Sequence, residues 1–280
     1  HAITRLVPGL ADAPRPAGKI DRFRLDASGQ MHNLRADSVE RLEPGPMGAL
    51  GEGLSEAFWM LVTLDSELVD ITLRSLQVTL TALVLASAIS WPLGTLLAIR
   101  RFRFRRAVVA LLNALMGLPP VVVGLVVYVL LSRSGPFGVL GLLYTPTAMV
   151  IAQVIIMVPL ISSIVHQSTR ELWSDYRDLL ISVNTTPRQR IATLVWDGRR
   201  SLLTASLAGF GRAIGEVGAI MIVGGNIDNV TRVLTTAIAL ETGKGAFGLA
   251  LGLGAVLIFL AVFVNVAVHT LARTERDGRW

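Results

Sequence analysis

Five apolar stretches, each long enough to cross the hydrocarbon core of a bilayer, constrain this chain more than any other feature. A membrane-spanning helix needs about 20 predominantly apolar residues. Ser75 to Ile99 and Ala107 to Ser132 carry no charged residue, and Ser134 to Thr169 holds only His166 as a group that titrates near neutral pH. The span within that third stretch is expected to begin near Thr145, after the turn Gly135-Pro136-Phe137-Gly138. Ser201 to Ile227, interrupted by Arg212 and Glu216, and Gly245 to Ala272, with His269 near its end, complete the set. The fold class is therefore all-α and integral to a membrane, with five transmembrane helices. The composition agrees: 52% of residues are hydrophobic, 16% are charged and the mean hydropathy is +0.59, values uncommon in a soluble domain.

Arginine placement gives the orientation, because positively charged short loops stay on the cytoplasmic side. Arg100, Arg101, Arg103, Arg105 and Arg106 follow the first span. Arg170, Arg177, Arg188, Arg190, Arg199 and Arg200 lie between the third and fourth, and Arg273, Arg276 and Arg279 follow the fifth. The opposite connections hold only Arg133, Arg232 and Lys244. The chain is expected to be a multi-pass protein of the cell membrane, amino terminus outside and carboxyl terminus cytoplasmic. Its basic balance belongs to these loops and calls for no nucleic-acid partner. With no cysteine there is neither a disulfide framework nor a thiolate metal site.

Residues 1–46 do not share this pattern. They are rich in Arg, Pro, Ala and Asp and show no sustained apolar periodicity. Such a segment buries too little apolar surface to offset its ordering entropy, so a disordered extension is expected, with native translation starting at Met47. Over 47–66, Leu54, Phe58 and Leu61 recur at helical spacing, which predicts an interfacial amphipathic helix with Trp59 at the headgroup level. Residues 67–272 then form the transmembrane domain and 273–280 a cytoplasmic tail.

The charged pair inside the fourth span stands in Gly209-Phe210-Gly211-Arg212-Ala213-Ile214-Gly215-Glu216-Val217-Gly218-Ala219. Ionised groups at membrane depth cost roughly 2.5–3.5 kcal/mol each on insertion scales and tend to face a bundle interior or a wet pathway. Arg212 and Glu216 are four residues apart, so on a continuous helix they share a face and partly neutralise each other. The flanking glycines allow close helix approach or leave backbone N–H groups free for an anion. A gate or pathway is the favoured reading over a packing helix whose charges only satisfy one another.

From about Met47 to Ala272 the chain resembles the permease subunits of binding-protein-dependent ABC importers. It is most similar to the tungstate type, with molybdate and sulfate permeases as relatives. The stretches that carry the resemblance run through Leu115-Met116-Gly117-Leu118-Pro119-Pro120, Ser132-Arg133-Ser134-Gly135-Pro136 and Tyr144-Thr145-Pro146-Thr147-Ala148. They continue with Gly211-Arg212-Ala213-Ile214-Gly215-Glu216-Val217-Gly218, Gly224-Gly225-Asn226-Ile227 and Thr235-Thr236-Ala237-Ile238-Ala239-Leu240-Glu241-Thr242. The resemblance implies the type I importer permease (MetI-like) fold, with a coupling loop at about 168–200 that docks into a cytoplasmic ATPase. The family's Glu-Ala-Ala motif has its counterpart from Asp178 to Arg190, where Asp178 replaces the glutamate, Asn184 the glycine and two leucines the alanines. Asn184 tolerates a left-handed turn and Pro187 suits the first turn of a helix. Thr185 and Arg188 complete the expected docking segment.

The chain has no ATP-binding loop of its own. Its only lysines, Lys19 and Lys244, are followed by Ile20 and Gly245 rather than by Ser or Thr. The resemblance therefore implies a separate ATPase subunit, an extracytoplasmic oxyanion-binding protein, a homodimer of this subunit and alternating access driven by ATP. For a small oxyanion the pathway candidates are Arg212, Glu216, Gly211, Gly215, Gly224, Gly225 and Asn226, with Thr235 and Thr236 as an outer vestibule or ordinary loop hydroxyls. Pro119 and Pro120 break the second span as a hinge, a constriction or a packing kink. No cofactor or metal is called for. His166 and His269 stand without the companions of a metal centre and read as surface or interfacial residues. The competing classes are a passive anion channel, a membrane-embedded enzyme, and the same fold carrying molybdate or sulfate.

Overall fold

A computed structural model of the chain describes residues 66–100 and 102–277, the strand residues 23–25 and 31–33, and the single positions 51, 55 and 59, with side chains described at 51, 55, 59, 66, 68–100 and 102–266. The chain divides into two units, His1–Pro46 and Met47–Trp280. In the first, β1 (Phe23–Leu25) pairs antiparallel with β2 (Met31–Asn33), Arg24 opposite His32. Phe-Arg-Leu alternates with the period of a strand, a signal too short to register as sustained periodicity. The rest of the expected disordered extension lies outside the described residues. Of the interfacial helix expected over 47–66, Gly51, Ser55 and Trp59 are helical and exposed, and its other residues before Ser66 also lie outside them.

The described part of the second unit is helical: α1 (Ser66–Ile99), α2 (Arg105–Met116), α3 (Pro120–Leu131), α4 (Pro146–Ser182), α5 (Pro187–Asp197), α6 (Arg199–Ile214), α7 (Gly218–Gly224), α8 (Leu234–Lys244) and α9 (Phe247–Asp277). A 3-10 turn at Gly138–Leu140 lies between α3 and α4. α1, α4 and α9 are each long and apolar enough to cross a membrane. The α2–α3 pair bends by 102° and the α6–α7 pair by 65°, so the described residues contain three spans, or up to five if each bent pair is one.

α1 and α4 form the spine. Helices in lipid gain little from apolar burial against each other and associate through close packing, which small residues permit. Ala82 and Ala86 of α1 are fully buried against Met157, Ile161 and Val165 of α4. At Gly94 an added Cβ would stand 2.6 Å from Val165 Cγ1. α6 joins this core through Leu202 and Ala205, and Ser206 Oγ lies 2.8 Å from Ser87 Oγ while accepting from Trp91 Nε1 at 3.0 Å. A second cluster packs Val123 and Val127 of α3 and Ala219, Ile220 and Val223 of α7 on Met149 and Ala152 of α4. A third joins Leu68 and Ile71 of α1 to Leu234 of α8 and Leu253 of α9.

One expectation changes here. His166, expected as a surface or interfacial residue, is 9% exposed and packed within the protein, with Nε2 3.2 Å from Arg105 Nη2. A guanidinium only donates, so the imidazole Nε2 accepts, and Arg105 also donates through Nε to Leu97 O at 2.6 Å. The side chain of His269 lies outside the described residues. Over 168–200, two helical stretches flank the turn that Asn184 and Pro187 predict. α4 continues to Ser182, a turn follows, and α5 begins at Pro187.

Outward faces of α3 and α9 carry large apolar side chains, among them Val121, Leu125, Val129, Ile258, Phe259 and Phe263, each more than half exposed. Lipid, or another membrane-embedded chain, is the solvent such faces require. Inside, contact is tight: a Cβ on Gly124 of α3 would stand 2.7 Å from Ala219 Cα of α7. Gly124→Ala is expected to lower stability by about 1–3 kcal/mol through overpacking. Gly254→Ala in α9, where nothing lies within 4 Å of the added atom, is expected to be close to neutral. Thermal unfolding of the two variants in one detergent checks the difference.

Candidate functional site

The two helix breaks lie side by side. α2 ends at Met116 with Gly117 as its C-cap, and α3 restarts at Pro120 with Pro119 as N-cap. Neither proline has an N–H to place, so the pair starts a helix at little cost. Across from it α6 stops at Ile214 and α7 restarts at Gly218, and a Cβ on Gly218 would stand 2.5 Å from Val121 Cγ2. Each break frees backbone groups that lipid cannot satisfy, so protein must.

The partners at the second break are specific. Ala213 O accepts from Glu216 N at 3.1 Å and from Gln153 Nε2 of α4 at 3.3 Å. Glu216 O accepts from Thr235 Oγ1 of α8 at 3.0 Å, and Glu216 Oε1 accepts from Ala219 N at 3.1 Å, satisfying one free N–H at the start of α7. Gln153 is 1% exposed; its amide also donates to Thr79 Oγ1 of α1 at 3.5 Å, and its Oε1 has no partner among the described residues. Four helices thus meet on one interrupted backbone.

This arrangement corrects the expected Arg212–Glu216 pairing. A continuous helix would put them on one face, but α6 ends between them and no ion pair joins them. Arg212 is exposed in the last turn of α6, where a positive charge is favoured by the helix dipole. Gly211 and Gly215 beside it are exposed, and nothing lies within 4 Å of a Cβ built on either. A cation flanked by two bare backbone positions therefore faces open space. Glu216 is half-buried and turned toward α7 instead.

The remaining pathway candidates sit at the far end of α7. Gly224 closes that helix against Met149, and Gly225 (φ 70°) and Asn226 (φ 49°) turn left-handed behind it. A Cβ on Gly225 would stand 2.8 Å from the ring of Tyr144, whose own backbone is also left-handed (φ 62°) and donates to Val223 O at 3.0 Å. Asn226 Oδ1 is buried without a partner among the described residues. Thr235 and Thr236 are buried in the first turn of α8: one bonds Glu216 O, and the other both accepts from Val233 N and donates to Val233 O at 3.0 Å. They do not line an open vestibule in this conformation.

At the α4–α5 turn, Asn184 adopts φ 52° and Thr186 caps α5 in a reciprocal capping box with Gln189, with Pro187 at the first helical position. Thr185 Oγ1 donates to Leu180 O and accepts from Arg190 Nε at 3.1 Å, fixing the turn. Asp178 and Arg188 are exposed, as are the apolar Leu179, Ile181 and Val183.

Sequence reasoning gave no role to Gln153, Thr79 or Thr231. Thr231 accepts from Ile227 N at 2.9 Å and donates to Gly224 O, closing the turn after α7. An isolated amide such as Gln153 inside the run Ala148 to Val165 is the kind of polar signal that marks such contacts in a membrane.

No family model matches the chain. It is 38% identical over 225 residues, 80% of this chain and 99% of the relative, to the tungstate uptake system permease protein TupB of Peptoclostridium acidaminophilum. The chain belongs to the tungstate-type ABC transporter permeases. A probable anion ABC transporter permease protein of Haloferax volcanii is 40% identical over 76% of this permease and 93% of its own length. TupB of Campylobacter jejuni is 33% identical over 80% and 93%. Sulfate and molybdenum transport permeases are more distant, at 26% and 27% identity. These relatives are named as transport permeases, and this permease is a multi-pass membrane protein.

The hydrogen bond from Ala219 gives the permease a testable asymmetry at its second break. Glu216→Gln keeps an acceptor oxygen, whereas Glu216→Ala removes it and is expected to cost about 0.5–2 kcal/mol, the range of a lost helix cap. Unfolding of the purified variants is expected to rank wild type and Glu216→Gln together, above Glu216→Ala.

Proposed function

We propose that this permease forms the membrane pathway of a tungstate importer. Two copies enclose the path, an extracytoplasmic binding protein delivers the oxyanion, and a separate ATPase dimer drives alternating access. The observation that carries the reading is the exposed Arg212 between Gly211 and Gly215, in a chain that aligns with 99% of a tungstate permease. A permease site must release its ion as well as bind it. One guanidinium beside bare backbone, with the Glu216 carboxylate nearby in sequence, suits weak and transient contact with a dianion. Gly224, Gly225 and Asn226 extend the path beyond α7, and the paired breaks at Pro119-Pro120 and Gly215 supply the discontinuous helices from which transporter sites are built.

In this reading each bent pair is one span, which gives five spans of the type I importer permease fold, with the arginine-rich α1–α2 and α4–α6 connections on the cytoplasmic side. The α4–α5 elbow is then the ATPase coupling element. Leu179, Ile181 and Val183 form its exposed apolar surface, with Asp178 and Arg188 as polar contacts and Asn184, Thr185 and Pro187 shaping the turn.

Tungstate uptake in cells lacking and then regaining the permease tests the substrate. Restored uptake that sulfate does not inhibit and that ATPase inactivation abolishes is the expected result. Inhibition by sulfate would move the substrate to another oxyanion, and uptake that survives ATPase inactivation would make the protein a channel. The coupling role has its own test. Asp178 is exposed, so Asp178→Ala is expected to leave insertion intact while reducing the ATPase that copurifies; unchanged copurification would remove Asp178 from the interface.

A further inference from the structure

We propose that α2, with Arg100 and residues 102–104 before it, is the bent entry of the second span, lying at the membrane interface and binding the head groups of anionic phospholipids. Two contacts fix how it lies. Arg105 reaches His166 and Asn113 accepts from Ser163 Oγ, both on α4. The eight-residue step from Arg105 to Asn113 spans about 12 Å of helix, whereas the three-residue step from Ser163 to His166 spans about 4.5 Å. α2 therefore crosses α4 at a wide angle rather than running alongside it. Its 102° bend from α3 agrees, since an apolar helix and its continuation cannot both follow the membrane normal through such an angle.

The outer face of this crossing helix has the composition an interface requires. Ala107, Leu111 and Ala114 recur at helical spacing along α2 and are exposed, Leu111 at 57%, and Phe104 at the N-cap is 68% exposed. Leu112 is the residue buried against the bundle. Arg100, Arg103 and Arg106 are exposed beside Phe102 and Phe104, and no guanidinium of the three makes a hydrogen bond or an ion pair with a described residue. Arg105, in contrast, is folded inward onto Leu97 O and His166. One arginine thus anchors the helix while its neighbours present charge at the end of a membrane-length helix. Basic side chains flanking an exposed aromatic and apolar stripe fit an anionic lipid surface, where charge attraction and shallow apolar insertion act together. A docked soluble protein would satisfy the charges but would leave the apolar stripe from Phe104 to Ala114 uncovered.

The test uses the full permease purified with its ATPase in mild detergent. Native mass spectrometry reads retention of added phosphatidylglycerol, with phosphatidylcholine as the control lipid. Wild type is expected to prefer phosphatidylglycerol, and the variant with Arg100→Gln, Arg103→Gln and Arg106→Gln to bind it on the order of 100-fold more weakly, at about fivefold per charge. The corresponding triple Arg→Lys variant is expected to retain it. Equal retention by the glutamine variant overturns the proposal, and so does loss of the ATPase with lipid retention unchanged, which would make the surface a protein dock. Phe104→Trp gives an independent reading in liposomes. Its added fluorescence is expected to be quenched by lipids brominated near the head of the acyl chain, and an unquenched, water-like emission overturns the interfacial placement.

Discussion

The interrupted backbone between α6 and α7 is the feature on which the rest of the arrangement depends. In a hydrocarbon environment a helix break strands N–H and C=O groups that no water can reach. Here Ala213 O, Glu216 O and Ala219 N each have a partner, drawn from α4, α8 and the break itself. Gln153 and Thr235 therefore pin α4 and α8 to one short stretch of α6–α7. With Thr79 on the same amide and Ser75 Oγ accepting from Leu234 N at 2.7 Å, α1 is drawn into the assembly as well.

Satisfying the break from one side leaves the other side bare. The exposed edge of α6 carries Gly211, Arg212 and Gly215 with no packing atoms against the glycines. On the packed edge, Gly209 is close enough to Ile161 that an added Cβ would stand 2.6 Å from its Cδ1. Glycine thus serves two ends within seven residues: close helix contact inward and uncovered backbone outward. A rigid inner face beside an open, charged outer face is a physical basis for a pathway, because only the open side can change its contacts without breaking the core.

Much of the organisation was legible in particular residues. Thr145-Pro146 and Thr186-Pro187 begin helices, as a capping hydroxyl followed by proline dictates, and Asn184 takes the left-handed turn that a short helix-to-helix link needs. Pro119-Pro120 break their helix where the missing N–H groups require it. The Arg212–Glu216 pairing failed because four-residue spacing implies a shared face only on an unbroken helix, and Gly215 with its neighbours ends α6 between them. His166 was misplaced for a related reason: its partner Arg105 is 61 residues away and belongs to a run that reads as uniformly solvated charge.

The sequence by itself determined that this chain is a helical membrane protein, where its long apolar helices lie, which turns interrupt them and, through its motifs, the family it belongs to. Those properties follow from local chemistry: apolar length, proline and glycine conformational limits, and hydroxyl caps. Only the tertiary structure decided which polar groups serve the fold and which remain free. Thr235 and Gln153 became ties for stranded carbonyls, Arg105 an anchor, and Arg212 an exposed cation. The reason is that a polar side chain in a membrane is defined by its partner, and these partners come from helices far apart in the chain.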